Sequence, residues 1–236
     1  MRFARAHALP IAVMGGGHSA TSYSMCGAEG IVIDLRRLHA VMVDPKAKRA
    51  TVQGGAPVRA LDEATALHGL VVPAGANSHI GARRQLVEGG FGNIMRKFGL
   101  TIDSLSSVQM VLADGTIVEA SDTEHPDLFW AVRGGSGNFG IATELRFRCH
   151  DFGPDVFTAG CIIGLEHAEV AFKVWRSVMT PDDAPDEMAW TAMFREAPEG
   201  TGFEWVPEGL LGKPVLWMQI FGVAKVRKAS AWSRHW

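Results

Sequence analysis

The 236-residue sequence is 47% hydrophobic, enough to bury one large core or two modest ones. Its 23 basic and 25 acidic side chains nearly cancel to a net charge of -2, so no broad cationic surface for nucleic acid or anionic lipid is implied. Cys26, Cys149 and Cys161 are odd in number and show no CxxC spacing, which argues against a disulfide framework and for a reducing cytoplasm. No stretch approaches the roughly 18 uninterrupted apolar residues of a membrane span.

The chain opens MRFARAHALPIAVMGGG, in which a short apolar run passes straight into a glycine loop rather than a small-residue cleavage site, so IAVM is read as a strand. GIVIDL, AVMV and ATVQ are further strand candidates, with an Asp-Pro turn in DPKAK, and together they predict a meander. Residues 57–68 (PVRALDEATALH) predict a helix. Pro57 suits the first helical position, Val58, Leu61 and Ala64 share a face, and Gly69 can supply the left-handed stop. Asp62 and Glu63 are expected in its first turn, complementing the dipole.

SVQMVLADGTIVEA predicts a hairpin in which Asp114 and Gly115 both take positive φ, and HPDLFWAVRGG a short helix opened by Pro126. IATELRFRCH alternates Ile141, Thr143, Leu145, Phe147 and Cys149 on one face of a half-buried strand. The pattern then shifts, placing a boundary near Asp151-Phe152-Gly153-Pro154. Beyond it, EHAEVAFKVWRSVM puts Val170, Val174 and Val178 on one helical stripe with Ala171 and Trp175 beside it, and PVLWMQIFG is a continuous apolar strand. The basic end, GVAKVRKASAWSRHW, reads as a disordered tail.

Gly15-Gly16-Gly17-His18-Ser19 follows a strand directly. Consecutive glycines there let backbone N–H groups approach an anion that any Cβ would push away, and a phosphate or pyrophosphate is the natural ligand. A plain tight turn is the bland alternative. A dinucleotide fingerprint is another, since Gly15, Gly17 and Ala20 match G-x-G-x-x-A and Asp34 lies near the distance expected of a ribose-binding acid. Against it, TSYSMCGAEG lacks the apolar periodicity of the packed helix that a Rossmann unit needs. The nine histidines form no HExxH or His-x-His, the cysteines do not cluster, and GHSAT lacks the closing glycine of a nucleophile elbow, so neither a metal site nor hydrolase chemistry is expected.

Taken in order, PIAVMGGGHSATSYS, GIVIDL, VQGGA, LHGLVVPAG, SHIG, GGFG, RKFGLTID, VLADG and HPDLFWAVRGGSGNFGIATE resemble the FAD domain of the vanillyl-alcohol-oxidase/berberine-bridge-like flavoproteins. The likeness covers about residues 10 to 150 and continues more weakly to about 220. It implies an α+β fold: a PCMH-type FAD-binding domain over 1–150, lacking the usual N-terminal portion, followed by a partial α+β substrate-domain segment over 151–236. It further implies that Gly15, Gly16, Gly17, His18 and Ser19 wrap the FAD pyrophosphate, with His18 attached covalently to the flavin 8α methyl group. Asn77 stands where some relatives carry a second linking cysteine, so a bicovalent flavin is not expected. By the same likeness Ser78, His79 and Gly81 lie near the isoalloxazine ring, and Asn138, Phe139, Gly140 and Ile141 present main-chain groups to the cofactor. Asp103 is either a positioning residue for the flavin loop or a solvated turn acid.

The sequence departs from the family where GARRQLVEGGFG replaces a more glycine-rich stretch, Arg83, Arg84 and Glu88 standing for three glycines. Side chains there must displace the cofactor or sit in a shifted loop. The returning C-terminal segment that commonly bears the catalytic base has no counterpart, so no catalytic residue is assigned. The resemblance implies an FAD-dependent oxidoreductase that takes hydride from an alcohol, sugar or alkaloid-like small molecule and passes electrons to an acceptor such as oxygen. A shortened, inactive or merely flavin-binding remnant ranks second and a nicotinamide-binding Rossmann protein third.

Overall fold

The computed structural model describes residues 1–17, 24–77, 81, 89–153, 156–180, 182, 184–201 and 203–222. The chain divides into two compact units, Met1–Pro154 and Asp155–Trp236.

The first unit begins with a helix that the sequence reading did not anticipate, α1 (Arg2–Ala6), followed by β1 (Ile11–Met14) and β2 (Ile31–Asp34). These two strands pair parallel as their own two-stranded sheet, Ile11 opposite Ile31 and Met14 opposite Asp34. The expected meander is therefore corrected. A meander needs tight reversals, whereas segment 15–30 is long enough to carry the chain back so that β2 runs alongside β1 in the same direction.

The main sheet has five strands: β3 (Val41–Asp44), β4 (Arg49–Gln53), β6 (Leu105–Val111), β7 (Ile117–Ser121) and β8 (Ile141–Arg148). Their order is β3-β4-β8-β6-β7 and every pairing is antiparallel, which excludes the doubly wound parallel sheet of a Rossmann protein. A two-residue ladder of β5 (Leu70–Val71) with β9 (His150–Asp151) stands beside it. Alternation along β8 sends Leu145 and Phe147 into the core and Glu144 and Arg146 to the other side. There the Arg146 guanidinium bridges Glu144, at 2.6 Å, and Glu119 of β7. Cys149 is buried as the alternation predicts, while Thr143 sits beside a register shift and donates its hydroxyl to the Gln109 carbonyl at 3.2 Å.

Two helices cover the core face: α2 (Val58–Ala66) and, after the short α3 (Met95–Phe98), α4 (Pro126–Val132). Val58 and Leu61 of α2, Phe129 and Val132 of α4, and Val52, Val108, Leu145 and Phe147 of the sheet are no more than 1% exposed and form one cluster. Pro126 opens α4 at a position where its missing N–H costs nothing. Pro57 is instead the residue before α2, with ψ of 155°, and Gly69 takes the expected left-handed φ of +64°. In the β6–β7 hairpin only Gly115 has positive φ, at +85°. Thr116 closes the loop by accepting Leu112 N–H, so the turn is longer than two residues, and the Asp114 carboxylate accepts Thr116 N–H.

In the second unit β10 (Phe157–Gly164) precedes the helix α5 (Ala168–Met179), followed by β11 (Met188–Glu196) and β12 (Pro214–Gly222). The order is β10-β12-β11, antiparallel throughout, with the apolar PVLWMQIFG run as the central strand. α5 lies over one face, where Phe172 meets Phe194 at 5.9 Å and the Trp175 indole N–H donates to the Trp190 carbonyl at 3.1 Å. Its inner face carries Ala171, Phe172, Val174, Trp175, Val178 and Met179, while Val170 is 62% exposed, so the expected stripe is rotated away from Val170. Val215 and Ile162, on the opposite face, pack with Ala197, Val206, Phe203, Leu210 and Leu211. No helix among the described residues is long and apolar enough to cross a membrane. The basic tail read from GVAKVRKASAWSRHW lies outside the described residues.

Asp62 and Glu63 fall beyond the first turn of α2, because the helix starts at Val58. Glu63 pairs with Arg59 at 2.7 Å, and burial, followed by the neighbouring Glu63 charge, pushes Asp62 from 3.8 up to about 6. The folded state thus holds this proton more tightly than the unfolded chain does, so the stability that protonated Asp62 lends is lost as pH rises from 3.8 to about 6. Asp62→Asn is expected to remove that slope and raise stability at pH 7 by about 1–3 kcal/mol, read by urea unfolding at several pH values. Leu145→Ala, at a fully buried position, is expected to cost about 2–5 kcal/mol in the same assay.

Candidate cofactor site

The glycine turn sits at the end of β1, where Leu35 N–H donates to the Met14 carbonyl and fastens the exit of β2 beside it. Gly15 is buried, Gly16 and Gly17 are exposed, and Gly17 takes the left-handed φ of +74° with open space where a side chain would stand. Gly81 packs directly on this turn. A Cβ on Gly81 would lie 2.5 Å from Gly16 N and 2.8 Å from Gly16 Cα, and those atoms are backbone that cannot turn aside. Gly81 also bridges to Pro57, so the start of α2 joins the same cluster. Three segments distant in sequence thus meet at an exposed run of backbone of the kind that accommodates a phosphate oxygen.

Two neighbouring contacts hold this cluster in place. A Cβ on Gly54 would stand 2.3 Å from the Ala142 carbonyl oxygen, and one on Gly55 would overlap the Leu35 carbonyl oxygen. Gly54 N–H donates to Thr143 O at 2.9 Å and Gly55 N–H to Leu38 O at 2.8 Å, tying the exits of β2 and β4 to the start of β8. Gly92 comes as close to Ala74, joining PAGAN to GGFG. Gly90 O accepts both the N–H and the hydroxyl of fully buried Thr101, at 2.9 and 3.1 Å. Gly54, Gly55 and Gly92 have no role assigned from sequence alone, and the signal that marks them is paired or lone glycines after apolar residues. Asp103 accepts Leu100 N–H at 2.8 Å and closes the turn Thr101–Ser104, a structural role.

The GNFGI segment forms a 3-10 turn, Ser136–Phe139, running into β8. The Asn138 amide donates to Gly135 O at 3.0 Å and so shapes the turn. Gly140 has φ of +145° and a Cβ there would lie 2.7 Å from Val111 O, while Ile141 is buried and pairs with Val111. Phe139 lines an open groove with Ala4, Arg5, Leu9, Ile11 and Asp114, which brings this segment to the beginning of β1. His18, Ser19, Ser78 and His79, and the substituted positions Arg83, Arg84 and Glu88, lie outside the described residues. Asp34, the acid of the dinucleotide alternative, is engaged by Arg36 at 2.6 Å, whose hydrogen bonds hold its carboxyl below the usual range.

A 34% identical relative over 216 residues is an FAD-linked oxidoreductase, pgmH, of Aspergillus terreus, covering 84% of this chain and 44% of its own. The (R)-6-hydroxynicotine oxidase of Paenarthrobacter nicotinovorans is 35% identical over 162 residues, 69% of this chain and 35% of its own. The structure of xylooligosaccharide oxidase from Myceliophthora thermophila C1, in complex with xylobiose, superposes with a TM-score of 0.82 and 26% identity, covering 98% of this chain and 46% of that one. The chain therefore spans less than half the length of these relatives. Its architecture is the α+β, PCMH-type FAD-binding fold, incomplete by that comparison. The family profile described as FAD binding domain matches residues 1–121, and the chain belongs to that family, whose cofactor is FAD.

Proposed function

We propose that this chain binds FAD on the cluster formed by Gly15, Gly16, Gly17 and Gly81, and that it serves an FAD-dependent oxidoreductase acting on a small molecule. The observation that carries the reading is the backbone contact of Gly81 with Gly16, which leaves Gly16 and Gly17 exposed without a covering side chain. Met1–Pro154 is then the flavin unit and Asp155–Trp236 part of a substrate domain. Bound FAD supplies the two-electron acceptor, a chemistry that belongs to the cofactor rather than to the protein. The chain's own residues hold and orient it. The glycine turn accepts the pyrophosphate, with Ser19 beside it, and His18 tethers the flavin. Ser78 and His79 flank the ring, and Asn138, Phe139, Gly140 and Ile141 offer main-chain groups.

An alcohol, sugar or alkaloid-like substrate with oxygen as final acceptor fits the relatives, which are named as oxidases of xylooligosaccharide and of (R)-6-hydroxynicotine. Three free cysteines fit a reducing cytoplasm.

A visible spectrum of the purified protein before and after acid precipitation tests cofactor and tether together. The expected result is a flavin band that stays with the pellet and is lost from it in His18→Ala. A colourless protein expressed with ample FAD contradicts the proposal and favours a remnant that no longer binds flavin. Gly81→Ala is expected to lower flavin content at least tenfold. Gly209→Ala, where a Cβ meets open space, leaves flavin content unchanged.

A further inference from the structure

We propose, resting on the FAD reading above, that Thr101 is a positioning residue of the cofactor site. It fixes the GGFG loop so that the main-chain N–H groups of Gly90 and Phe91 turn outward as a pair of donors for an oxygen acceptor on FAD.

Gly89 and Gly90 both take left-handed φ, +112° and +68°, so the chain turns there in a form that a side chain would strain. Their carbonyls are gathered at one place. Ile102 N–H donates to Gly89 O at 3.2 Å, and Thr101 donates both its N–H, at 2.9 Å, and its hydroxyl, at 3.1 Å, to Gly90 O. Two donors from one residue fix the direction of that carbonyl as well as its distance. Thr101 is fully buried, so water does not compete for its hydroxyl. The turn that carries it is anchored in its own right, because buried Ser104 meets His150 Nε2 through its hydroxyl at 3.0 Å.

In a planar trans peptide the N–H lies opposite the C=O. With the Gly89 and Gly90 carbonyls drawn toward Thr101 and Ile102, the N–H groups of Gly90 and Phe91 point to the other side of the loop, and among the described residues none accepts either. The same loop is pressed against PAGAN, since a Cβ on Gly92 would overlap the Ala74 carbonyl oxygen, and PAGAN leads to Gly81 and the glycine turn. Donors held in place before the ligand arrives suit an oxygen lone pair, which FAD offers at its pyrophosphate and at the carbonyls of its ring.

The test is titration of the flavin-free full chain with FAD, read by fluorescence quenching, and with ADP, read by calorimetry. Thr101→Val keeps the side chain's shape and removes its hydroxyl. It is expected to weaken FAD binding roughly tenfold, the worth of about one hydrogen bond, and Thr101→Ser, which puts a hydroxyl back, to restore most of it. Phe91→Pro removes one donor directly at a residue whose side chain lies outside the core, so it also serves should Thr101→Val not fold. It is expected to lower FAD affinity to the same extent with an unchanged urea midpoint. An equal loss for ADP supports the proposal with the acceptor on the pyrophosphate, and a loss for FAD alone supports it with the acceptor on the flavin ring. FAD affinity unchanged in Phe91→Pro or in folded Thr101→Val, or a loss that Thr101→Ser does not restore, overturns the proposal and leaves the FAD reading standing. An unsubstituted chain that binds no FAD overturns both.

Discussion

The constraint on which the rest of the first unit depends is the approach of backbone to backbone where no side chain fits. Gly54 and Gly55 lie against the carbonyls of Ala142 and Leu35, Gly81 against Gly16, and Gly92 against Ala74. Each contact joins segments that are remote in sequence and fixes their separation more tightly than a side-chain contact would. Hydrogen bonds from Gly54 and Gly55 to Thr143 and Leu38 turn that proximity into a defined register. The small parallel sheet is thereby fastened to the large antiparallel one, and the glycine turn at the end of β1 is held open to solvent rather than folded into the core.

Behind those contacts the core is conventional. One face of the five-stranded sheet is dry and covered by α2 and α4, and the other carries the Arg146 ion pairs. These part-buried pairs contribute on the order of 1 kcal/mol each, so the buried apolar cluster holds the unit together. Asp62 runs against that economy, since burial works against its charge at neutral pH. Rigid support under a loop of exposed backbone is what an anion-binding turn needs, because donors that are already positioned need little reorganisation when the ligand arrives.

Much of this was legible in the residues, for local reasons. The 3.6-residue period and the flanking Pro57 and Gly69 marked α2, Pro126 marked α4, and two-residue alternation marked β8. The errors arose where a local pattern leaves a choice. Nothing in IAVM and GIVIDL says whether the intervening segment reverses or crosses over, and the parallel pairing follows from long-range contacts. Val170 carries the apolar character of its neighbours, yet the sheet fixes the rotation of α5 through Phe172 and Trp175 and leaves it in solvent. At the site, the exposed turn could be read from three consecutive glycines after a strand, whereas the partners of Gly54, Gly55, Gly81 and Gly92 are tertiary and have no signature in their own segments.

The central claim is that the glycine cluster recognises the pyrophosphate half of the cofactor. The most direct test is a fluorescence titration of flavin-free, refolded chain against FAD and, separately, against riboflavin, which has the ring but no phosphate. Saturable quenching of FAD emission with little or none of riboflavin is what this account predicts. FAD emission that stays unchanged up to excess protein, or equal quenching of both flavins, would contradict it.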